Sequence, residues 1–227
     1  MIRDNFAKIQ ARIAASCAKA GRKEADIALV VVTKGRTIEE IQEALSLGVN
    51  HLGENRLQET LLKYKGLSTV DSRQSTINWH MVGHLQTNKA KEAVKIFDLI
   101  HSVDSLPLAE EINKQAARIS KIQDILLEVK TSPEETKFGL KPEVLPQLVK
   151  TLVRLKNLNL KGLMTIAPQA SCSEEARPYF RLLRELSVVL QKQKETVPIL
   201  SMGMSDDFET AIEEGSTMLR IGRGIFA

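Results

Sequence analysis

The sequence predicts an α/β fold: a single closed (β/α)8 TIM barrel with one additional helix ahead of its first strand. Three observations carry this. Eight apolar, strand-like runs alternate with helix-patterned segments along 227 residues, close to the ~250 residues typical of such barrels. An open doubly wound sheet, the competing architecture, places a G-x-G-x-x-G turn after its first strand; here that position reads "GRTIEE". No linker, low-complexity tract or shift of composition interrupts the series, so residues 1–227 read as one domain with residues 1–21 as the extra helix.

The N-terminal segment "MIRDNFAKIQARIAASCAKAG" is amphipathic and carries Asp4 too early for a signal peptide. Ile27–Thr33 is rich in β-branched residues and forms the first strand. In "TIEEIQEALSLG", Ile38, Ile41, Ala44 and Leu45 recur at helical spacing. "VNHLGEN" is the second strand and "RLQETLLKYKG" its helix; "INWHMVG" is the third, followed by the helix "TNKAKEAVKIF". "DLIHSV" is the fourth, and Ser105 stands at the capping position of "SLPLAEEINKQAARIS". "QDILLEVK" and "NLNLKGLMTI" are the fifth and sixth strands, with "KPEVLPQLVKTLVRL" between them. The helix "SCSEEARPYFRLLRELSVVLQKQK", the strand "VPILSMG", the helix "SDDFETAIEEG" and the strand "STMLRIG" complete the pattern. No crossover helix is predicted after the eighth strand. The N-terminal helix is expected to cover that side, because the outer apolar face of a barrel must be wrapped.

Composition excludes several classes. With 43% hydrophobic and 26% charged residues, the chain matches a soluble globular protein. No apolar run approaches the ~20 residues that span a bilayer, so no membrane partner is expected, and the cysteine usage reads as cytoplasmic. Cys17 and Cys172 show no metal-ligand spacing and read as reduced bystanders. The net charge of +4 comes from 32 basic residues interleaved with 28 acidic ones, and aromatics make up 4%. Without a basic block or stacking platforms, nucleic acid is not the expected partner.

Functional groups of such barrels lie at the C-terminal ends of the strands, and phosphate commonly sits beside the loops after strands seven and eight. Those ends supply Lys34, Asn55, His80 and Met164, then "LSMGMSDD" and "LRIGRG". Lys34 is either a solvated strand terminus or an amine presented to a ligand; period-two alternation puts it on the inner face with Ala28, Val30 and Val32. Ser201 offers a hydroxyl and Gly203 a close backbone approach, with Ser205 or Asp206 capping the next helix. Gly222 and Gly224 add backbone freedom beside them. Together these turns read as an anion cradle of N–H groups. Arg220 alternates with Leu219 and Ile221 and so points inward, where a guanidinium that cannot be neutralised needs an acceptor. An amine, a phosphate cradle and an inward arginine suit pyridoxal 5′-phosphate (PLP): a Schiff base on Lys34, the phosphate in the cradle, Arg220 on the pyridine nitrogen. An arginine there leaves the ring a poor electron sink.

At these residues the sequence resembles the pyridoxal phosphate homeostasis proteins, single-domain barrels similar to the alanine racemase N-terminal domain. "LVVVTK", "LGENRLQE", "WHMVGHLQTNK", "SVDS", "TKFGL", "GLMTIAP" and "LSMGMSDDFETAIEEGSTMLRIGRGIFA" carry the resemblance nearly end to end. It implies a cofactor lysine at Lys34 and phosphate contacts from Ser201, Gly203, Met204, Ser205 and the surroundings of Gly222. It further implies a ring-nitrogen contact from Arg220, with Asn55, His80 and Met164 lining the ring. The implied role is a cytosolic, commonly monomeric protein that buffers or delivers PLP, with PLP-dependent apo-enzymes as recipients, and affects amino-acid and keto-acid balance. No robust catalytic turnover is implied. One departure is Arg36, where the family usually carries a second lysine; an arginine keeps the charge and forms no imine. Lys137, after the fifth strand, is either a secondary acceptor or a solvated loop lysine.

Two enzymatic alternatives use the same amine. An amino-acid racemase needs a second acid/base group on the opposite face of its substrate, and the only tyrosines, Tyr64 and Tyr179, fall in or beside helices. A class I aldolase would form its imine on Lys34 with a sugar phosphate in the cradle. His80 and His84, four apart on a strand and a glycine turn, are not expected to converge on a metal. His51 and His101 read as structural, Trp79 as core behind His80, and the Met202/Met204 pair as packing. Glu54 and Glu59 read as the solvated or ion-paired side of a helix start.

Overall fold

Alternation between an inward and an outward face builds this molecule twice over, once inside a ring of strands and once outside it. The computed structural model describes residues 1–70, 77–134, 138–168, 172–192 and 197–227. Its strands are β1 (Ala28–Val32), β2 (His51–Glu54), β3 (Asn78–Met81), β4 (Leu99–Val103), β5 (Gln123–Glu128), β6 (Leu158–Met164), β7 (Ile199–Ser201) and β8 (Met218–Ile221). They run parallel in chain order as a closed barrel, sealed by β1 against β8 from Ala28↔Met218 to Val31↔Ile221. This is the (β/α)8 barrel that the sequence predicts.

Around it lie α1 (Ile2–Lys19), α2 (Ile38–Ser46), α3 (Leu57–Val70), α4 (Ala90–Ile96), α5 (Leu106–Ala117), α6 (Leu145–Leu152), α7 (Arg177–Lys192), α8 (Phe208–Glu213) and α9 (Arg223–Phe226). Inside the ring, Val30, Val82, Leu99, Leu126, Met164 and Met218 form a small apolar core. The neighbouring positions Val31, Leu52, Trp79, Ile100, Leu127, Leu163, Leu219 and Ile221 face the helices in a much larger one. A branched residue thus serves either core with the same strand geometry, and adjacent residues serve different cores.

The extra helix wraps the side it was expected to cover. Ile2, Ile9, Ile13 and Cys17 are its buried stripe, and it packs on α8 and α9. Arg12 pairs with Glu209 at 2.8 Å and Lys19 with Glu213 at 2.6 Å across that seam. Asn5 Nδ2 donates to the carbonyls of Ile225 and Ala227. The sequence reading missed α9, a single turn after β8 that shares the covering role.

Helix starts follow the rules unevenly. Thr37 and Glu40 form a reciprocal capping box on α2: Thr37 Oγ1 accepts from the Glu40 amide and Glu40 Oε2 from the Thr37 amide. Ser105 occupies the cap position of α5, but its hydroxyl makes no capping bond. α8 begins at Phe208, not after Ser205 or Asp206; Asp207 is its cap residue, and its carboxylate turns back to accept from the Met204 amide at 2.6 Å. Gly162 is required by close approach: a Cβ there would lie 2.0 Å from the Ile199 carbonyl oxygen on β7.

Candidate functional site

Lys34 follows β1 in a turn that Gly35 makes possible, with φ of +69° and the Arg36 amide donating to the Thr33 carbonyl. Its side chain is exposed and has no hydrogen bond or ion pair among the described residues. The turn itself is held tightly. Lys63 of α3, buried beneath it, donates from Nζ to the Thr33 carbonyl (2.5 Å), Glu54 Oε1 (2.6 Å) and Glu59 Oε1 (2.6 Å). Thr33 Oγ1 donates to Glu54 at 2.5 Å and the Gly35 amide to Glu59 at 2.5 Å. Both neighbours of Lys34 are therefore anchored while its amine is left free. Glu54 is ion-paired as expected but fully buried on a strand, not solvated at a helix start; burial raises its carboxyl while Lys63 and Thr33 oppose that.

Opposite Val30 in the β1–β8 register stands Arg220, inward and 4% exposed. Its Nη1 donates to Ser201 Oγ at 2.6 Å and its Nη2 to the Thr165 carbonyl at 2.8 Å. Both partners are neutral. No carboxylate pairs with this buried guanidinium among the described residues, and burial lowers it to about 10 against the more distant pull of Asp207 and Glu128. Two of its five N–H donors are used. Glu128, buried at the end of β5, is pushed up to about 7 by burial and then by Asp104, with Arg220 opposing.

The glycine turns after β7 and β8 touch: the Gly224 amide donates to Ser205 Oγ at 3.1 Å, and Arg223 pairs with Asp206. The amides of Gly203, Ser205, Asp206 and Gly222 have no acceptor among the described residues. Gly203 takes φ of +96° with Ala211 Cβ against it, and a Cβ on Gly222 would lie 2.9 Å from the Val32 carbonyl oxygen. These turns can cradle an oxyanion through backbone N–H groups. The Met204 amide, counted in that cradle from sequence, is instead occupied by Asp207.

Asn55 follows β2 with its Oδ1 buried and unpartnered, and a Cβ at Gly83 would meet the Asn55 backbone at 2.5 Å. Met164 is buried in the inner core. His80 is buried too, with both ring nitrogens engaged: Nε2 at 2.9 Å from His51 Nδ1, and Nδ1 at 2.9 Å from His101 Nε2. His101 Nδ1 in turn lies 2.9 Å from Ser201 Oγ. His51 and His101, expected to be structural, thus join His80 in one inward chain; their shared parity with Gly53 and Leu99 is the sequence signal for it. Glu128, Thr165 and Lys63 carry no comparable signal in the sequence. His84 pairs with Asp104 at 3.1 Å and stacks on Phe138 at 3.7 Å. Lys137 lies outside the described residues.

The exposed amine, the amide cradle and the buried donor thus come from β1, β7 and β8, which adjoin in the ring. Comparison with known proteins agrees on the architecture. The alanine racemase N-terminal domain family matches residues 4–227. A pyridoxal phosphate homeostasis protein of Aquifex aeolicus is 44% identical over 98% of this chain and 96% of its own length. One from Pseudomonas aeruginosa is 38% identical over 99% and 94%. PipY of Synechococcus elongatus, solved with and without PLP, aligns with a TM-score of 0.84 at 35% identity, over 95% of this chain and 100% of its own. An alanine racemase of Clostridium difficile shares the fold, with a TM-score of 0.75 at 19% identity over 99% of this chain and 56% of its own. The chain therefore belongs to the pyridoxal phosphate homeostasis protein family, built on the alanine racemase N-terminal barrel.

Proposed function

We propose that this chain binds PLP at the C-terminal mouth of the barrel, covalently through Lys34, and serves PLP homeostasis. The observation that carries this is Arg220: a buried guanidinium held by two neutral oxygens, with donors to spare, calls for a ligand acceptor. A pyridine nitrogen is such an acceptor, and the unpartnered Asn55 Oδ1 and the free amides of the β7 and β8 turns suit the rest of the molecule. PipY, a relative at 35% identity, holds PLP, which supports the same ligand here.

When bound, PLP supplies an aldehyde that condenses reversibly with amines. The chain's own residues do the remainder. Lys34 offers its amine from an anchored turn, Gly203, Ser205 and Gly222 donate amides to the phosphate, and Arg220 donates to the ring nitrogen and keeps it unprotonated. Such a site grips the cofactor without activating it strongly. Racemisation would need an acid/base group on the opposite face, and both tyrosines pack outside the barrel, Tyr64 against Trp79 with centroids 5.8 Å apart. The proposed role is that of a cytoplasmic, monomeric carrier that releases PLP to apo-enzymes, as the family resemblance implies. Among the described residues no helix is long and apolar enough to cross a membrane.

Titrating the protein with PLP tests this. Wild type develops a visible absorption band that saturates at one equivalent, Lys34→Ala keeps its circular dichroism but not the band, and Arg220→Ala shifts the band more than it weakens retention. A band that survives in Lys34→Ala, or none in wild type, refutes the assignment.

A further inference from the structure

The strand interiors hold a run of three histidines to which PLP binding, as proposed above, assigns no part. His51, His80 and His101 stand on β2, β3 and β4, inward on each, and Ser201 and Arg220 on β7 and β8. Their contacts run head to tail at 2.9 Å: His51 Nδ1 to His80 Nε2, His80 Nδ1 to His101 Nε2, His101 Nδ1 to Ser201 Oγ. The chain crosses the barrel from β4 to β7 and ends on the hydroxyl that Arg220 holds. At its other end, half-buried His51 lines a cleft of about 250 Å³ at the N-terminal rim, with Gln10 of α1, Glu24 and Asn50.

We propose that His51, His80 and His101 are a proton relay through the barrel, linking the Ser201 hydroxyl below the mouth to the cleft at the opposite rim. The hydrogen-bond arithmetic is restrictive. A neutral imidazole carries one N–H, and each N···N contact needs one proton. If His51 carries its proton on Nδ1, His80 and His101 must do the same; if on Nε2, both follow. All three rings therefore share one tautomer.

The two settings differ at Ser201. With protons on Nε2, the Ser201 hydroxyl donates to His101 Nδ1 and has none to give a ligand. With protons on Nδ1, His101 and Arg220 both donate to Ser201 Oγ, and its hydroxyl is free to donate upward. Passage from the first setting to the second moves five protons one step each, the last of them entering from the ligand side. Ser201 gives its proton to His101 Nδ1, His101 its Nε2 proton to His80 Nδ1, and His80 its Nε2 proton to His51 Nδ1. His51 then releases its Nε2 proton to the cleft, while Ser201 is reprotonated from the ligand side. One proton enters, one leaves, and every ring stays neutral.

Neutrality is what the surroundings enforce. Burial first, then His51, holds His80 down to about 3, and burial, His80 and Arg220 hold His101 well below its ordinary value. His51 is lowered by burial against the pull of Asp98. Glu24 lines the same cleft as His51, so the released proton reaches a carboxylate or solvent there.

The relay stands on this chain alone; only its ligand end rests on the PLP reading. Long-range 1H–15N correlation spectra of the protein without PLP report the tautomer of each ring. One shared tautomer is expected, and a mixed pattern or a charged ring overturns the proposal. Exchange with solvent is the second readout. Protons on His80 and His101 leave through His51, so His51→Phe closes one end and forces any entering proton to charge a buried ring; their exchange should slow at least tenfold. Equal exchange in wild type and His51→Phe refutes the relay, whatever PLP does. PLP added to wild type should leave all three rings protonated on Nδ1; Nε2 protonation in the loaded protein refutes the ligand end.

Discussion

Glu128 gives the structure a stability signature that can be worked out in advance. It ends β5 with 6% exposure, and burial with Asp104 nearby raises its carboxyl to about 7 from an ordinary 4.5. Between those values the folded protein keeps a proton that the unfolded chain has released. Folding stability therefore falls as pH rises from 4.5 to 7 and is flat above. At about 1.4 kcal/mol per pH unit, the difference amounts to about 3 kcal/mol. Glu128→Gln preserves the shape of the protonated acid and removes the titration. The variant should match wild type near pH 4 and exceed it by up to about 3 kcal/mol at pH 8. Buried His80 pulls the opposite way, since the unfolded ring takes up a proton below 6.5 that the folded one refuses until about 3. Subtracting variant from wild type cancels that contribution. Urea unfolding across pH 4 to 8 measures the difference, and a gap that does not vary with pH would mean that Glu128 titrates alike in the folded and unfolded chains.

Two further substitutions probe the framework. Gly162→Ala drives a methyl into the Ile199 carbonyl of the neighbouring strand, so β6 and β7 must part; thermal melting should show a loss of about 3 kcal/mol or more, or no folded protein. Lys63→Met strips the cation from buried Glu54 and half-buried Glu59 and should cost about 3–5 kcal/mol in chemical denaturation, with Glu54→Gln added in the same chain restoring part of it.

The barrel was legible because period-two alternation is a local signal. It put Arg220 and Met218 inward, with Leu219 and Ile221 outward, and the structure agrees. Trp79 fell behind His80 by the same rule. What stayed hidden depends on distances that no local pattern encodes. Ser105 and Asp207 differ in whether a side chain reaches back to an amide, which a cap residue's type does not decide. Glu54 read as solvated or ion-paired at a helix start because its partner, Lys63, stands nine residues on, in the helix that follows the strand. The histidine chain needs β4 and β7 to meet across the barrel, between residues 100 apart. Each of those histidines had an inward position that could be read singly, but only closure of the ring joins them to Ser201.

The central claim is chemical: one particular amine takes the cofactor. Borohydride reduction of the PLP-loaded protein, then digestion and mass mapping, locates that amine directly. A pyridoxyl group is expected on Lys34, in the peptide that carries Gly35 and Arg36. A label on another lysine, Lys137 included, or no label at all, would contradict it.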